Sequence, residues 1–250
     1  MSLGPVFDAY SRYYDLLYRE KDYVAEVGYI DDILIRHKIG GRDLLEFGSG
    51  TGKHGRLLAE RGYRVTGIER SAAMVAQAAV AEGFDCQRGD ICVAQLGRTF
   101  DAVLALFHVV SYQVDNASVC AVFDRAADHL RPGGLFVFDV WYSPAVYAQR
   151  PEVRVKRVAD RDAEVTRIAE PKIWPNENRV DVNYTIFARE LATGVCRTLS
   201  ETHMMRHFSL PEIDLLADRS GFDRLSAEAF LTGEEPSERT WGLCVVLRKQ

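Results

Sequence analysis

The part of this sequence that most constrains the fold is a glycine-dense turn at residues 44–55, which read Leu-Leu-Glu-Phe-Gly-Ser-Gly-Thr-Gly-Lys-His-Gly. A short apolar strand with one acid inside it runs into the turn, and a helix follows. Glycine lets the backbone turn tightly and approach a ligand without a Cβ in the way. The start of the helix offers unpaired N–H groups and the positive end of a dipole. In open α/β sheets, such a turn at the carboxyl end of the first parallel strand binds nucleotide-like ligands.

Three ligands could use this turn, and the residue types distinguish them. A phosphate-binding loop fails, because Phe47 stands where the first glycine is needed and His54 replaces the Ser or Thr. The dinucleotide pattern Gly-x-Gly-x-x-Gly fits residues 50–55, although that pattern alone is weak. The pattern of S-adenosylmethionine (SAM) methyltransferases, Asp/Glu-x-Gly-x-Gly-x-Gly, fits residues 46–52 at every position. Glu46 suits a cofactor with a sulfonium and an amino group and would repel a pyrophosphate, so the motif favours SAM.

Length, charge and cysteine content restrict the class of protein. With 250 residues and a net charge of −5, the chain can bury a large core and has no general attraction for nucleic acid. It has no run of about 18 apolar residues that could span a membrane, and its start lacks the regions of a signal peptide. The five cysteines are scattered, which predicts neither a disulfide framework nor a zinc site. We expect a cytoplasmic enzyme that acts on a small-molecule acceptor, with no nucleic acid, membrane or metal; a homodimer stays open.

The order of predicted elements indicates an α/β fold with an insertion. Strands and helices alternate strictly from residue 39 to about 150, which predicts a Rossmann-like doubly wound sheet. Within it, residues 131–134 predict a turn before a fifth strand at 135–140. Residues 151–208 alternate apolar and polar side chains, as antiparallel strands do. We expect an N-terminal helical lid over 1–38, a SAM-binding core formed by 39–150 and 209–250, and an inserted antiparallel β-sheet over 151–208.

Candidate cofactor contacts follow the strands of the core. Glu69 ends strand two, where an acid can accept hydrogen bonds from ribose hydroxyls. The alternative is an ordinary solvated carboxylate at the end of a strand. Met74 could lie against an adenine. Asp90 could accept from the adenine amine and the Ile91 N–H could reach a ring nitrogen, with an ordinary Asp turn as the alternative. The cofactor-binding candidates in the core are Glu46, Gly48, Ser49, Gly50, Glu69, Arg70, Met74, Asp90, Ile91 and Leu106.

Tyrosines and a histidine are the remaining candidates. Tyr10, Tyr14 and Tyr18 share one helix face by their spacing. They pack the N-terminal segment onto the core, or they belong to a lid that lines the cofactor and acceptor pocket, with Tyr14 and Tyr23 on the cofactor. His108 follows the buried fourth strand at its carboxyl edge, where it is a candidate base or acceptor-orienting group, or an ordinary hydrogen-bonded histidine.

Residues 40–140 and the closing helix and strands resemble the class I SAM-dependent methyltransferases. The motifs that carry this resemblance are Glu46–Gly52, Glu69, Gly89-Asp90 and Arg131-Pro132-Gly133-Gly134. Nearly the whole chain is similar to bacterial N-methyltransferases that act on nucleotide-linked amino sugars. The segments that carry this narrower resemblance are Tyr10-Ser11, Tyr14-Asp15-Leu16, Lys21-Asp22-Tyr23 and residues 201–208.

The narrower resemblance implies catalytic residues. It places Tyr10 at the active site, and in that family a histidine after strand four approaches the sugar amine. Counting from the shared Phe107 puts Tyr112 at the position of that histidine and displaces His108. The catalytic candidates are therefore Tyr10, His108 and Tyr112.

The function that the resemblance implies is methyl transfer to an amine or hydroxyl of a small polar acceptor, expected to be a nucleotide-linked sugar. His203 and Arg206 face opposite sides of a predicted strand, and Arg206 would be the better partner for a phosphate. Two alternatives stay open. An NAD-dependent oxidoreductase would use the same glycine turn and Glu69, and a non-catalytic binding module would share the fold.

Overall fold

The computed structural model describes residues 11–78 and 81–250, with side chains from Tyr13 onward. The helices are α1 (Ser11–Leu17), α2 (Tyr23–Arg36), α3 (Lys53–Glu60), α4 (Ala72–Gln77), α5 (Asn116–Asp128), α6 (Ser143–Gln149) and α7 (Leu210–Arg219). The core strands are β1 (Asp43–Phe47), β2 (Arg64–Glu69), β3 (Phe84–Arg88), β4 (Phe100–Ala105), β5 (Leu130–Tyr142), β10 (Phe222–Ala229) and β11 (Gly242–Lys249). The insertion contributes β6 (Arg154–Ala159), β7 (Ala163–Trp174), β8 (Arg179–Glu190) and β9 (Cys196–Phe208). Short 3₁₀ turns cover Val109–Tyr112 and Pro175–Glu177.

The core strands form a parallel sheet in the order β3-β2-β1-β4-β5, and β11 then pairs antiparallel with β5. The register places Leu44 opposite Val65 and Ala102, which brings the ends of β1, β2 and β4 to one edge. Helices α3, α4 and α5 connect β1 to β2, β2 to β3 and β4 to β5, and residues 89–99 connect β3 to β4 without a helix. The predicted Rossmann-like α/β fold with an antiparallel insertion is confirmed.

The insertion is continuous with the core sheet. Its strands form an antiparallel meander, and β9 then runs parallel to the end of β5, where Trp141 pairs with His207 and Tyr142 with Phe208. The strands of the described residues thus join in one sheet of eleven. Trp141 pairs with both Gly242 of β11 and His207 of β9, so β9 lies on the opposite side of β5 from β11, beyond the point where β4 ends.

One predicted boundary is wrong. The fifth strand begins at Leu130 rather than Leu135, so residues 131–134 are an interruption within β5 instead of a turn before it. Phe100 of β4 pairs with Leu130, and the next paired residue, Ala102, lies opposite Leu135. The extra residues bulge outward, and Gly133 takes up the left-handed backbone that this requires (φ 77°).

The core has an apolar layer on each face of the sheet, because successive residues of β5 point to opposite faces. Phe136 and Phe138 pack with Phe123 of α5 on one face, and Leu135 and Val137 pack with α2 and α3 on the other. A third cluster joins α1 to the insertion. Its members are Tyr13, Leu17, Ala163, Val165, Ile186 and Ala188.

Close packing at Gly55 seats α3 against the sheet. A Cβ there would collide with the buried Phe84 ring and would stand 2.8 Å from Glu46 Oε2. We therefore expect Gly55→Ala to lower the free energy of unfolding by about 1–3 kcal/mol, the range for overpacking a core. Denaturant unfolding followed by circular dichroism measures it.

Gly28→Ala is the matched control, because Gly28 lies inside α2 and a Cβ there makes only an ordinary 3.5 Å contact with Arg61. Alanine favours the helix, so this variant should be as stable as the parent or up to about 1 kcal/mol more stable. Equal stability of the two variants would contradict the packing argument.

Candidate active site

A cavity of about 370 Å³ lies at the carboxyl edge of the parallel strands, within the size range of small-ligand sites. The sequence candidates that line it are Tyr14, Tyr23, Gly48, Ser49, Gly50, Glu69, Arg70, Met74, Asp90, Ile91, Leu106, His108 and Tyr112. Side chains from α1, from the loop after β4 and from the insertion complete the wall. The structure thus brings together residues that are far apart in the sequence.

The glycine turn is held by the Glu69 carboxylate. Its Oε2 accepts a hydrogen bond from Gly50 N at 3.0 Å, and its Oε1 accepts one from Ser71 N at 2.7 Å. Gly48 and Gly50 adopt left-handed backbone conformations, with φ of 65° and 57°. A carboxylate has about four acceptor sites, so Glu69 can still accept from the two hydroxyls of a ribose.

Apolar side chains and Asp90 flank the Glu69 end of the cavity. Met74, Ile91 and Leu106 are buried, and Ser71 caps α4 by accepting a hydrogen bond from Met74 N. Asp90 Oδ1 accepts from Cys92 N at 2.9 Å, which fixes the carboxylate at the cavity. Flat apolar walls with a carboxylate at each end fit an adenosine that carries no phosphate. The donor set therefore fits SAM, which has a sulfonium where a dinucleotide has its pyrophosphate.

Glu46 does not line the cavity, contrary to the sequence-based expectation of direct cofactor contact. Its side chain points behind the turn, where it is almost fully buried and its Oε1 lies 3.8 Å from His54 Nδ1. Burial, together with the negative charge of Glu69, raises the pKa of Glu46 to about 8. The orientation follows from strand alternation, since Leu45 and Phe47 occupy the opposite face of β1.

A buried ionic cluster beneath the turn was missed by the sequence analysis. Glu26 of α2 accepts from His54 Nε2 at 2.7 Å and pairs with Lys21, whose Nζ lies 3.5 Å from His54 Nε2. The Lys21 ammonium also stands over the rings of Tyr23 and Phe107, at 4.2 and 4.4 Å from their centroids. Burial lowers the pKa of Lys21, and the charge of Glu26 opposes that effect. The cluster ties the segment before α2 to the cofactor turn.

The loop after β4 presents His108 beside a buried acid. His108 Nδ1 lies 2.7 Å from Asp139 Oδ2, and the His108 backbone N–H also approaches the carboxylate, at 3.2 Å. The two atoms are within hydrogen-bonding distance, and a small rotation of the imidazole ring would align the Nδ1–H with the oxygen. Burial acts to raise the pKa of Asp139, but the charge and hydrogen bonds of His108 outweigh it and hold that pKa below its ordinary value.

The backbone of this loop is strained where it carries His108. Phe107 and His108 have φ of 64° and 63°, which is rare for residues with a side chain. Such conformations cost about 1–3 kcal/mol each and concentrate at functional sites. Sequence reasoning did not assign Asp139, the acid of this pair, to the site. Its position inside the apolar run of β5 could have indicated a buried carboxylate that needs a partner.

Tyr112 lies deeper in the cavity and pairs with the insertion. Its Oη is 2.9 Å from His203 Nδ1, and the His203 ring stands edge-on to Tyr184 at 4.8 Å. Burial raises the pKa of Tyr112 well above 10, so its phenol stays protonated and acts as a hydrogen-bonding group. The expectation that Arg206 binds a phosphate of the acceptor is wrong. Arg206 binds Asn116 and Glu212 outside the cavity, while His203 lines the cavity.

The N-terminal tyrosines divide between packing and lining. Tyr13 packs in the cluster with the insertion. Tyr14 and Tyr18 line the cavity with their ring centroids 4.7 Å apart, and the Tyr18 centroid lies 5.2 Å from that of Phe107. Tyr10 lies outside the described residues.

Two absences hold for the part of the chain that the structure describes, residues 11–78 and 81–250. No helix there is long and apolar enough to cross a membrane. No group of three or more His, Cys, Asp or Glu side chains in these ranges could hold a metal ion.

The sequence of this chain is similar to those of known methyltransferases. A methyltransferase domain family matches residues 44–134. The dTDP-3-amino-3,4,6-trideoxy-alpha-D-glucopyranose N,N-dimethyltransferase of Streptomyces venezuelae is 29% identical over 83% of this chain and 87% of its own length. The dTDP-3-amino-3,6-dideoxy-alpha-D-glucopyranose N,N-dimethyltransferase of Streptomyces fradiae is 30% identical over 69% of each chain.

A solved structure agrees at the level of the fold. The SAM-bound amino pentose methyltransferase CalS10 of Micromonospora echinaspora has a TM-score of 0.76 and 24% identity, with both chains covered completely. The cofactor of this protein is SAM, as the motif predicts, and the oxidoreductase alternative is not supported.

We expect Glu69→Ala to weaken the binding of S-adenosylhomocysteine. The variant loses an acceptor for ribose hydroxyls, and it loses the hydrogen bonds from Gly50 N and Ser71 N that join the glycine turn to the start of α4. The expected loss is about 1.5–3 kcal/mol, the range for hydrogen bonds to a charged group, or roughly 10- to 150-fold in Kd by calorimetry. Glu60→Ala on the exposed face of α3 is the control and should bind normally. An unchanged Kd in folded Glu69→Ala would remove this residue from the site.

Proposed function

Because the chain belongs to the SAM-dependent methyltransferases, we propose that it methylates the amine of a nucleotide-linked amino sugar. The observation that carries the proposal is the His108–Asp139 pair, which faces the same cavity as the cofactor turn. The relatives named above act on dTDP-linked amino sugars, which supports this class of acceptor.

The residues of the chain supply placement and a proton acceptor. Bound SAM supplies a methyl group on a sulfonium, and the electrons of the broken C–S bond stay with sulfur while the amine lone pair forms the new N–C bond. With Nδ1 held by Asp139, Nε2 of His108 is the nitrogen that can take the proton from the incoming ammonium. Tyr112, held by His203, orients the acceptor through its hydroxyl.

We assign the acceptor compartment to three segments: α1, the loop 107–112 and the inserted sheet. Tyr18, which directly follows α1, Tyr184 from β8 and His203 from β9 line the cavity. In this proposal the N-terminal segment is a lid whose Tyr14 and Tyr23 cover the cofactor and whose closure excludes water.

The acceptor class is tested with a matched pair of substrates. We expect dTDP-3-amino-3,6-dideoxy-α-D-glucopyranose to gain 14 and then 28 mass units with SAM. The otherwise identical 3-hydroxy sugar nucleotide should not react. Methylation of the hydroxyl sugar, or of neither sugar, would overturn the assignment.

We expect His108→Ala to lower kcat by about 100-fold, within the usual range of roughly 10²–10⁴ for a general base. Asp139→Asn should also lower kcat, because the amide no longer holds the imidazole with Nε2 free for the proton. His37→Ala, a histidine beside Ser226 and outside the cavity, is the control and should turn over normally.

The Kd of S-adenosylhomocysteine should be nearly unchanged in His108→Ala and Asp139→Asn. Normal kcat in both variants, with a substrate that the parent methylates, would show that the loop is structural.

A further inference from the structure

We propose that Trp141 and Trp241 form a clamp that binds the acceptor nitrogen as a cation and binds it more tightly with each methyl group. This inference rests on the proposed amine acceptor. Aromatic faces attract alkylated ammonium ions, and tryptophan does so best. Each methyl removes an N–H that water would solvate, which lowers the free energy needed to bring the cation into an apolar site.

The two rings stand beside the candidate base. Trp141 is two residues beyond Asp139 on β5, and Trp241 immediately precedes β11, whose first residue, Gly242, pairs with Trp141. Their ring centroids are 5.4 Å apart at an interplanar angle of 60°, and Trp141 is 6.1 Å from the His108 ring. A Cβ at Gly242 would stand 3.8 Å from His108 Cε1. Both tryptophans are only partly buried, and both line the cavity.

Other rings of the cavity already carry a cation of the chain. Lys21 lies over Phe107, Lys21 and Lys53 over Tyr23, and Arg167 over Tyr18 and Tyr184. Among residues 13–78 and 81–250, no lysine or arginine lies over Trp141 or Trp241. The pair beside His108 is therefore a place in the described cavity where tryptophan faces can meet a cation brought by the ligand.

The clamp has a consequence for the number of methyl groups. The acceptor enters as an ammonium, gives a proton to His108, and regains a positive charge when its nitrogen takes the methyl group. A clamp that prefers the methylated cation holds the monomethylammonium product, which carries two N–H protons. Once His108 has released the first proton to water and SAM has been replaced, the product gives one of these two protons to His108 and becomes a neutral amine again. The second transfer is then favoured over release.

The test uses a charged probe and its neutral isostere, choline and 3,3-dimethylbutan-1-ol, with the enzyme saturated by S-adenosylhomocysteine. Binding is measured by calorimetry, because fluorescence would lose its reporter when one of the three tryptophans is replaced. We expect choline to bind at least about 5-fold more tightly than the isostere. Trp241→Leu should reduce that ratio about 3- to 30-fold, the equivalent of one cation–π contact, and Trp241→Phe should retain part of it.

Trp174→Leu is the matched control, because this third tryptophan lies outside the cavity beneath Lys172 and Arg179. It should leave the ratio unchanged. Equal binding of the two probes by the parent, or equal weakening of both by Trp241→Leu, would overturn the proposal. The two tryptophans would then contribute only apolar contacts to the cavity. If choline selectivity holds while no amino sugar nucleotide is methylated, the proposed acceptor fails and the clamp stands.

Discussion

The site depends on one carboxylate that joins two strand ends. Glu69 accepts from the backbone N–H of Gly50, in the turn after β1, and from that of Ser71, at the start of α4. Both amides belong to segments without a ladder partner, so each would otherwise need water or a ligand. The same residue thus fixes the shape of the turn and stands at the place where a ribose would bind. Loss of the carboxylate removes a support of the turn as well as a ligand contact.

The cofactor turn is also coupled to the segment that covers it. Glu26, His54 and Lys21 form a buried cluster, and Lys21 reaches the ring of Phe107 at the start of the loop that carries His108. Removing Lys21 or Glu26 would leave the other charge buried without its partner, which is strongly destabilising. The N-terminal segment, the turn and the His108 loop therefore hold one arrangement together, which is what a closed, water-excluding site requires.

The sequence was most informative where local pattern decides the structure. Alternating strands and helices predicted the parallel sheet, and the strand ends placed Glu69, Met74 and Asp90 at one edge. Contacts between distant elements could not be predicted in this way. Asp139 meets His108 because β4 and β5 are neighbours, and Trp241 meets Trp141 because β11 returns along β5.

Orientation was a separate difficulty. Spacing predicted that His203 and Arg206 face opposite sides, but only the pairing of β8 with β9 decides which side faces the cavity.

The length of β5 explains why the cofactor and acceptor halves are built from different parts of the chain. β4 pairs with β5 as far as Phe138, and at Trp141 and Tyr142 β9 takes that side of β5, while β11 holds the other side. The loop after β4 leaves the sheet at this point and packs against β5 and β9. Val182, Met205 and Trp241 line the cavity beyond the glycine turn. Substitutions in the insertion can therefore reshape the acceptor compartment while the contacts of Glu69 stay as they are.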